Sequence, residues 1–316
     1  MPFGLTSWRG GLASAVLLAG CYGGDETQEA GDGTTDATAA TSTPTAPTTT
    51  PTGDDSTADG GESDDGGGPE LPDFTVGPPV LPRLTQQQYF NTIAALLGPG
   101  LPTPPLEPDT NPYLFFNIGA ASTTLSENGV QQYETAADLF TTIVFTDPAR
   151  REDLVGCLPA APGDACVAQF LGKFGRRAFR RPLTPEETAR WLGMATELAS
   201  GDPWQGLRHA VAGMLQSPHF LYRVELGEPD LGDPTRLRYT TFEMASRLSF
   251  LLWNTTPDDA LLDAAAVGDL LTDAGLAGET ERLLRDPRAH QAVRDFFTQF
   301  LDLGRLDGIY GVYRDE

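Results

Sequence analysis

The stretch from 166 to 187 reads CVAQFLGKFGRRAFRRPLTPEE and decides the fold class. Its first half spaces apolar residues three or four positions apart, which is the pattern of one buried helix face: Val167, Phe170, Leu171, Phe174 and Ala178. We therefore predict a helix over 166–180. Thr184-Pro185-Glu186-Glu187 then supplies a capping threonine, a proline in the first turn and a glutamate that closes a capping box. A second helix should begin there.

Similar start signals recur along the chain from Leu81 onward, and no stretch shows a convincing strand alternation. Three helices are predicted with both ends, over 85–97, 128–144 and 166–180, and one more is predicted around 276–285. Five others are predicted by their first residues, at 184, 202, 240, 256 and 286. The run from Phe250 to Trp253 is apolar on nearly all sides, so we expect its helix to be central. Nine helices and no clear strand predict an all-α fold of one or more multi-helix bundles.

The predicted helices also carry apolar residues that we assign to buried faces. Val130 continues the stripe of the helix over 128–144, and Leu198 ends the stripe of the helix from 184. The last helix carries five apolar residues at helical spacing: Val293, Phe296, Phe297, Phe300 and Leu301.

Composition excludes several classes of protein. The 316 residues include 44 acidic and 21 basic side chains, a net charge of −23, so we expect no nucleic-acid partner. No apolar run reaches the ~20 residues of a membrane-spanning helix. Residues 1–80 hold 13 of the acidic residues and a single basic one, Arg9, which makes the remainder only mildly acidic.

The N-terminus has the features of an export signal. Residues 1–20 pair Arg9 with a short apolar run from Gly11 to Ala19, and Leu18-Ala19-Gly20-Cys21 resembles the lipobox of bacterial lipoproteins. That resemblance implies cleavage before Cys21 and lipidation of its thiol, which would attach the chain to a bacterial membrane of the cell envelope, with the outer membrane as the expected one. Residues 21–80, rich in Thr, Gly, Asp and Pro, are predicted to be a disordered tether.

No catalytic motif of the common enzyme classes is present. The sequence lacks G-x-S-x-G, H-E-x-x-H, a phosphate-binding glycine loop and C-x-x-C-H. The three histidines, His209, His219 and His290, have no shared helical spacing, so we predict no metal site and no cofactor. Cys157 and Cys166 remain after Cys21, and in an exported chain a disulfide is expected. A redox-active pair is the alternative, although the spacing is not C-x-x-C.

The basic cluster is the sharpest local feature. Five cations lie within nine residues of an otherwise acidic chain: Lys173, Arg176, Arg177, Arg180 and Arg181. On one helix Arg176 and Arg180 would share a face, as would Arg177 and Arg181. They are candidates for binding phosphate, a sugar acid or lipid headgroups. The alternative is that they pair with carboxylates of the protein itself, including Glu186 and Glu187.

Three longer strings resemble bacterial domains of unknown function. RLTQQQYFNTIAALLG (83–98) is similar to the domain numbered 1587. FGRRAFRRPLTPEE (174–187) with SPHFLYRVE (217–225) is similar to 1595. ASRLSFLLWNTTPDDALLDAA (245–265) with LLRDPRA (283–289) is similar to 1592.

We accordingly divide the chain into modules over 81–145, 146–230 and 237–316. The resemblance implies an exported protein of myxobacterial or planctomycete type, often lipid-anchored and sometimes fused to c-type cytochromes, and it implies no established activity. The third module would be incomplete relative to the family, and a haem role would need a separate cytochrome because C-x-x-C-H is absent.

Three functional hypotheses follow, in order of preference. The first is a non-catalytic binding or scaffold protein of the cell envelope, which should show a ligand groove. The second is a component of an envelope redox or degradation system that works with a c-type cytochrome or an enzyme partner. The third is a hydrolase, which would need two acidic side chains across one cavity.

Overall fold

The computed structural model describes residues 81–111, 114–230 and 232–303. The predicted signal peptide, Cys21, the predicted tether and the last 13 residues of the predicted third module lie outside these ranges. Twelve α-helices make up most of the described chain: α1 Gln86–Leu97, α2 Phe116–Gly119, α3 Glu127–Thr146, α4 Pro148–Val155, α5 Ala165–Ala178, α6 Pro185–Glu197, α7 Pro203–Gln216, α8 Pro218–Leu221, α9 Thr241–Leu252, α10 Asp259–Ala266, α11 Asp273–Arg285 and α12 Pro287–Phe300. The predicted all-α class is confirmed.

Short side-chain caps start most of these helices where the sequence predicts them, but α10 begins two residues later than predicted, with Asp258 as its cap. Thr85, Thr184 and Thr240 each accept a hydrogen bond from the backbone three residues on, and the side chain at that third position bonds back to complete a capping box. Asp202 and Asp286 cap α7 and α12 ahead of a first-turn proline. The local sequence therefore dictates the helix starts.

The first core joins the two N-terminal modules. The predicted face of α7 is fully buried against α3 and α6: Leu207, Ala210, Val211, Met214 and Leu215. Tyr89 of α1 meets the ring of Tyr133 edge-on at 4.9 Å. Residues 82–84 also pair with 221–223, through Leu84 N to the Leu221 carbonyl at 2.8 Å and Arg223 N to the Pro82 carbonyl at 2.9 Å. Helices of both modules thus share one interior.

A second, smaller core lies among α9–α12. Its centre is Trp253, whose indole N–H donates to the Leu283 carbonyl at 2.9 Å, with Leu261, Ala265 and Leu283 packed around it. Phe250 of α9 is not part of this second core, because its side chain is buried in the first core. Thr256 Oγ donates to the Arg177 carbonyl at 2.8 Å and fixes the start of this region against the end of α5.

The structure corrects several burial assignments. Leu251 is 73 % exposed, so α9 is not the buried central helix that its sequence indicates. It lies at the junction of the two cores, where Phe250 and Trp253 are each buried in a different core while Leu251 faces solvent. Val130 and Leu198 are also exposed, because the stripes of α3 and α6 are narrower than predicted.

The apolar face of α12 is exposed in the described chain. Its five apolar side chains are each about half accessible: Val293, Phe296, Phe297, Phe300 and Leu301. Helices α4, α2 and the 3₁₀ turn Asp269–Leu271 were not predicted. Nor was the antiparallel pair of β1 Glu228–Pro229 and β2 Leu237–Arg238, which at two residues each is too short for any alternation to show.

The disulfide between Cys157 and Cys166 is confirmed. Cys157 follows the end of α4 and Cys166 lies in the first turn of α5, so the bond closes the loop between these helices. A ring of this size contributes about 2–3 kcal/mol by restricting the unfolded chain.

Candidate functional site

The basic cluster does not form one surface. Helix α5 ends at Ala178, and Arg180 leaves it in the left-handed conformation with φ 60°. The helix predicted to reach Arg180 is therefore shorter, and the expected pairing of Arg176 with Arg180 and of Arg177 with Arg181 on common faces does not form. Arg180 and Arg181 line a small cavity of about 130 Å³ with His219, whereas the other three cations line different cavities.

Arg180 and Arg181 are occupied by the protein's own groups. Arg180 is buried and donates to the carbonyls of Ala178, His219, Phe220 and Tyr222, at 2.7–3.2 Å. Both terminal nitrogens of Arg181 donate to Glu187, each at 2.8 Å. Arg181 therefore pairs with a carboxylate of the protein, as the alternative expects, whereas Arg180 binds backbone carbonyls at helix ends.

Lys173, Arg176 and Arg177 line a cavity of about 470 Å³ between α5 and α10. Asp259 and Asp263 line it too, and Arg176 bonds to Asp263 at 2.6 Å. Two carboxylates thus offset most of the positive charge there, which makes this a poor anion site.

Arg177 also lines a second cavity, which we call the arginine cavity. It has a volume of about 400 Å³ and lies between α1, the end of α5 and α12, with these lining residues: Asn91, Ala94, Ala95, Arg177, Trp253, Thr255, Arg288 and Gln291. Two arginines and no carboxylate line it. Neither Arg288 nor Trp253 was a candidate in the sequence, because only the packing of α12 against α9 brings them beside Arg177.

Both arginines of the arginine cavity are held in place. Arg177 donates to the Ala95 carbonyl at 3.0 Å, which fixes it against the end of α1. Arg288 donates to Asp286 at 2.7 Å, and its guanidinium lies 3.4 Å from the centre of the Trp253 ring. A stacked, paired guanidinium loses little freedom when it binds a further group.

The arginine cavity also contains unsatisfied polar atoms. Within the described residues, Nε of Arg177 and Oγ1 of Thr255 are buried without a hydrogen-bond partner. Such atoms cost free energy unless a ligand or solvent satisfies them. Both atoms belong to residues that line the arginine cavity, but each atom is itself covered, so a ligand would reach it only if the side chain moved.

A third cavity, which we call the amide cavity, lies on the other side of Asn91 and Asn254. Its volume is about 490 Å³, and it is lined mainly by amides, carboxylates and hydroxyls: Thr85, Gln86, Gln87, Pro108, Asp109, Phe116, Asn117, Asn254, Asp295, Thr298 and Gln299. Asn91 donates to the Asn254 carbonyl at 3.0 Å, and Gln291 donates to Asp295 at 2.8 Å. These two bonds join the walls of the two cavities.

The amide cavity contains the two acids that the hydrolase hypothesis requires. Asp109 accepts from the Gln86 backbone at 2.8 Å and from Arg83 at 2.9 Å. Burial nevertheless raises the pKa of the Asp109 carboxyl, since it outweighs these two donors. Asp295 accepts from Gln291 and from Asn254. Each carboxylate therefore has both oxygens engaged by the protein, which favours a positioning role over proton transfer.

The histidines do not assemble a site. His219 lies 3.5 Å from Glu187, and burial together with Arg181 lowers its pKa. Burial and Arg208 lower the pKa of His209, which is half-buried. Among the residues that the structure describes, no three His, Cys, Asp or Glu side chains could jointly hold a metal ion. No helix in that part of the chain is long and apolar enough to cross a membrane.

Fold and cavities together define a class, an all-helical protein of two cores with polar cavities where the cores meet. Comparison with protein families then shows which family models the chain matches. Models described as proteins of unknown function match residues 83–146 (DUF1587, PSD3), 166–225 (DUF1595, PSD5) and 239–311 (DUF1592, PSD4). These are the three modules that the sequence strings predict, so the predicted resemblance to DUF1587, DUF1595 and DUF1592 is confirmed. Neither a curated protein nor a solved structure matches it significantly.

Proposed function

We propose that this is an exported, lipid-anchored envelope protein whose helical body binds a small oxyanion, a carboxylate or a phosphate, in the arginine cavity. The observation that carries the proposal is a cavity with two fixed arginines and no lining carboxylate in a chain of net charge −23. Asp286 outside the lining offsets the charge of Arg288, so Arg177, which has no ion pair among the described residues, supplies the uncompensated charge. An acidic protein repels anions at long range, so a local cationic cavity provides selectivity.

The arrangement of donors fits an oxyanion. Arg177 uses one terminal nitrogen on Ala95, which leaves the other terminal nitrogen for a ligand. Arg288 uses Nε and one terminal nitrogen on Asp286, which leaves its second terminal nitrogen. The side-chain nitrogens of Asn91 and Gln291, which also line the cavity, already donate to Asn254 and Asp295. Planar guanidinium groups bind carboxylate and phosphate oxygens through paired hydrogen bonds.

Replacing Arg177 or Arg288 by glutamine should weaken anion binding about tenfold to a hundredfold, since each removes a charge-assisted hydrogen bond. Isothermal titration of the full chain with glucuronate and with inorganic phosphate measures this and distinguishes a sugar acid from a phosphate source. Binding should weaken further as salt is added.

Arg285→Gln provides the matched control. Arg285 lies on α11, is exposed, and pairs only with Glu281 at 2.8 Å within the described residues. It should leave anion affinity unchanged. If the wild-type chain binds neither probe, or if Arg177→Gln and Arg288→Gln bind as the wild type does, the proposed site is wrong.

The anchor has its own test. Cys21→Ser should move the protein from the detergent phase to the aqueous phase after detergent partitioning of a bacterial host, because the acylated thiol is lost. Tyr22→Ser, at the neighbouring position, should stay in the detergent phase. Equal partitioning of Cys21→Ser and wild type would exclude lipidation at Cys21 without affecting the ligand proposal.

A further inference from the structure

We infer that the amide cavity is a second binding site, distinct from the arginine cavity, and that it takes a neutral polyhydroxylated ligand, a saccharide. Its volume of about 490 Å³ is that of a small-ligand site. The inference does not depend on the proposed anion site, since different residues line the two cavities.

Three amides of this cavity, those of Gln86, Gln87 and Asn117, are hydrogen-bonded at one end and make no hydrogen bond at the other within the described residues, whereas Gln299 is bonded at both ends. Gln86 donates its side-chain nitrogen to the carbonyls of Leu106 and Glu107, at 3.1 and 3.0 Å. Gln87 donates to Asn91 at 2.8 Å. In the part of the chain that the structure describes, neither side-chain oxygen has a donor, so both present an oriented acceptor to the cavity.

Asn117 offers the cavity a hydrogen-bond donor where Gln86 and Gln87 offer acceptors. Its side-chain oxygen accepts from Gln88 at 2.9 Å, and its amide nitrogen makes no hydrogen bond within the described residues. The hydroxyl of Thr298 is likewise without a partner there. A sugar hydroxyl both donates and accepts, and a lining that offers both acceptors and donors satisfies both requirements.

The two carboxylates are oriented in the same manner. Asn254 is buried, has a left-handed backbone at φ 55°, and donates to Asp295 at 3.2 Å. Asparagine adopts that conformation more readily than other non-glycine residues, so the backbone at Asn254 orients its side-chain amide without marked strain. Since each oxygen of Asp109 and Asp295 already has one protein donor, each has room for one more donor, such as a hydroxyl.

Two further features favour a neutral saccharide. The lining holds two carboxylates and no cation, so it repels the oxyanions that suit the arginine cavity. Phe116 supplies an accessible ring, and its backbone N–H donates to Gln299 at 2.9 Å, which ties the ring's segment to α12. An aromatic ring beside fixed polar groups suits a ligand with both apolar C–H faces and hydroxyls.

The test is a nuclear magnetic resonance titration of the full chain with cellobiose, maltose and chitobiose. We expect at least one to shift the amide signals of residues lining the amide cavity. Asp295→Ala should weaken that binding about tenfold or more, through loss of a charge-assisted acceptor. Thr298→Val should weaken it about threefold to tenfold without disturbing the fold, because its hydroxyl makes no hydrogen bond in the described chain.

Arg294→Ala is the matched control, since Arg294 lies on the same helix, is exposed and does not line the cavity. It should bind as the wild type does. Saccharide binding that persists in Arg177→Gln would show that the two sites are independent. If none of the three disaccharides binds, or if binding is lost in Arg177→Gln and kept in both Asp295→Ala and Thr298→Val, the inference is overturned.

Discussion

Arg180→Ala should destabilise the protein by about 3–5 kcal/mol, the largest effect that we expect from a single substitution. Its guanidinium donates to four backbone carbonyls, three of them at the end of α8 and one at the end of α5. The last carbonyls of a helix have no partner within the helix, and here one side chain satisfies two helix ends at once. Removing it would leave these buried acceptors unpaired.

The measurement is urea unfolding of the full chain with circular dichroism as the readout. Arg190→Ala, an exposed arginine of α6, is the control and should change the unfolding free energy by less than about 0.5 kcal/mol. Arg180→Gly distinguishes the effect of the left-handed backbone from the effect of the lost guanidinium donors. Glycine adopts that backbone conformation without cost, but like alanine it has no side-chain donor. A cost below about 1 kcal/mol for both Arg180 variants would refute the capping role.

Glu187→Gln should cost about 2–3 kcal/mol at neutral pH, and the loss should depend on pH. Hydrogen bonds from Arg181 lower the pKa of the Glu187 carboxyl from 4.5 to about 2, against the opposing effect of burial. A depressed pKa means that the stabilisation is complete above pH 4.5 and disappears as pH falls toward 2. The difference between wild type and Glu187→Gln should therefore shrink across that interval.

Stability measured by urea unfolding at several pH values between 2 and 7 tests this expectation. Glu186→Gln is the matched control, since Glu186 is the adjacent residue and is exposed. Its effect should be within about 0.5 kcal/mol. A constant difference between Glu187→Gln and wild type over the whole range would show that the ion pair does not carry the stabilisation.

Helix starts were predictable because their causes are local. A capping threonine and the Gln or Glu three residues later lie within one turn. The helix starts after Thr85, Thr184 and Thr240 can therefore be predicted without knowledge of the rest of the chain. The buried faces of α5 and α7 were predictable for a related reason. A helix with one continuous stripe of apolar residues has a single favourable orientation, in which that stripe faces a core.

Burial at the junction of the cores was not predictable in this way. Phe250, Leu251 and Trp253 are all large and apolar, yet they lie in the first core, in solvent and in the second core respectively. Their hydrophobicity is similar, so only the positions of the neighbouring helices distinguish them. The exposed apolar side chains of α12 show the same limit, since periodicity indicates a face but not what covers it.

The candidate sites, too, were predictable from the sequence only in part. The sequence alone determined the helical class, the disulfide, the three module resemblances and a cluster of five cations that includes Arg177. Tertiary structure decided which cavity each of those cations lines and whether a carboxylate lines it too. It placed Arg288 and Trp253, more than 70 positions away in sequence, beside Arg177, and it turned Arg180 into the interior. The physical reason is that caps and stripes act within a few residues, whereas a cavity exists only where separate helices meet.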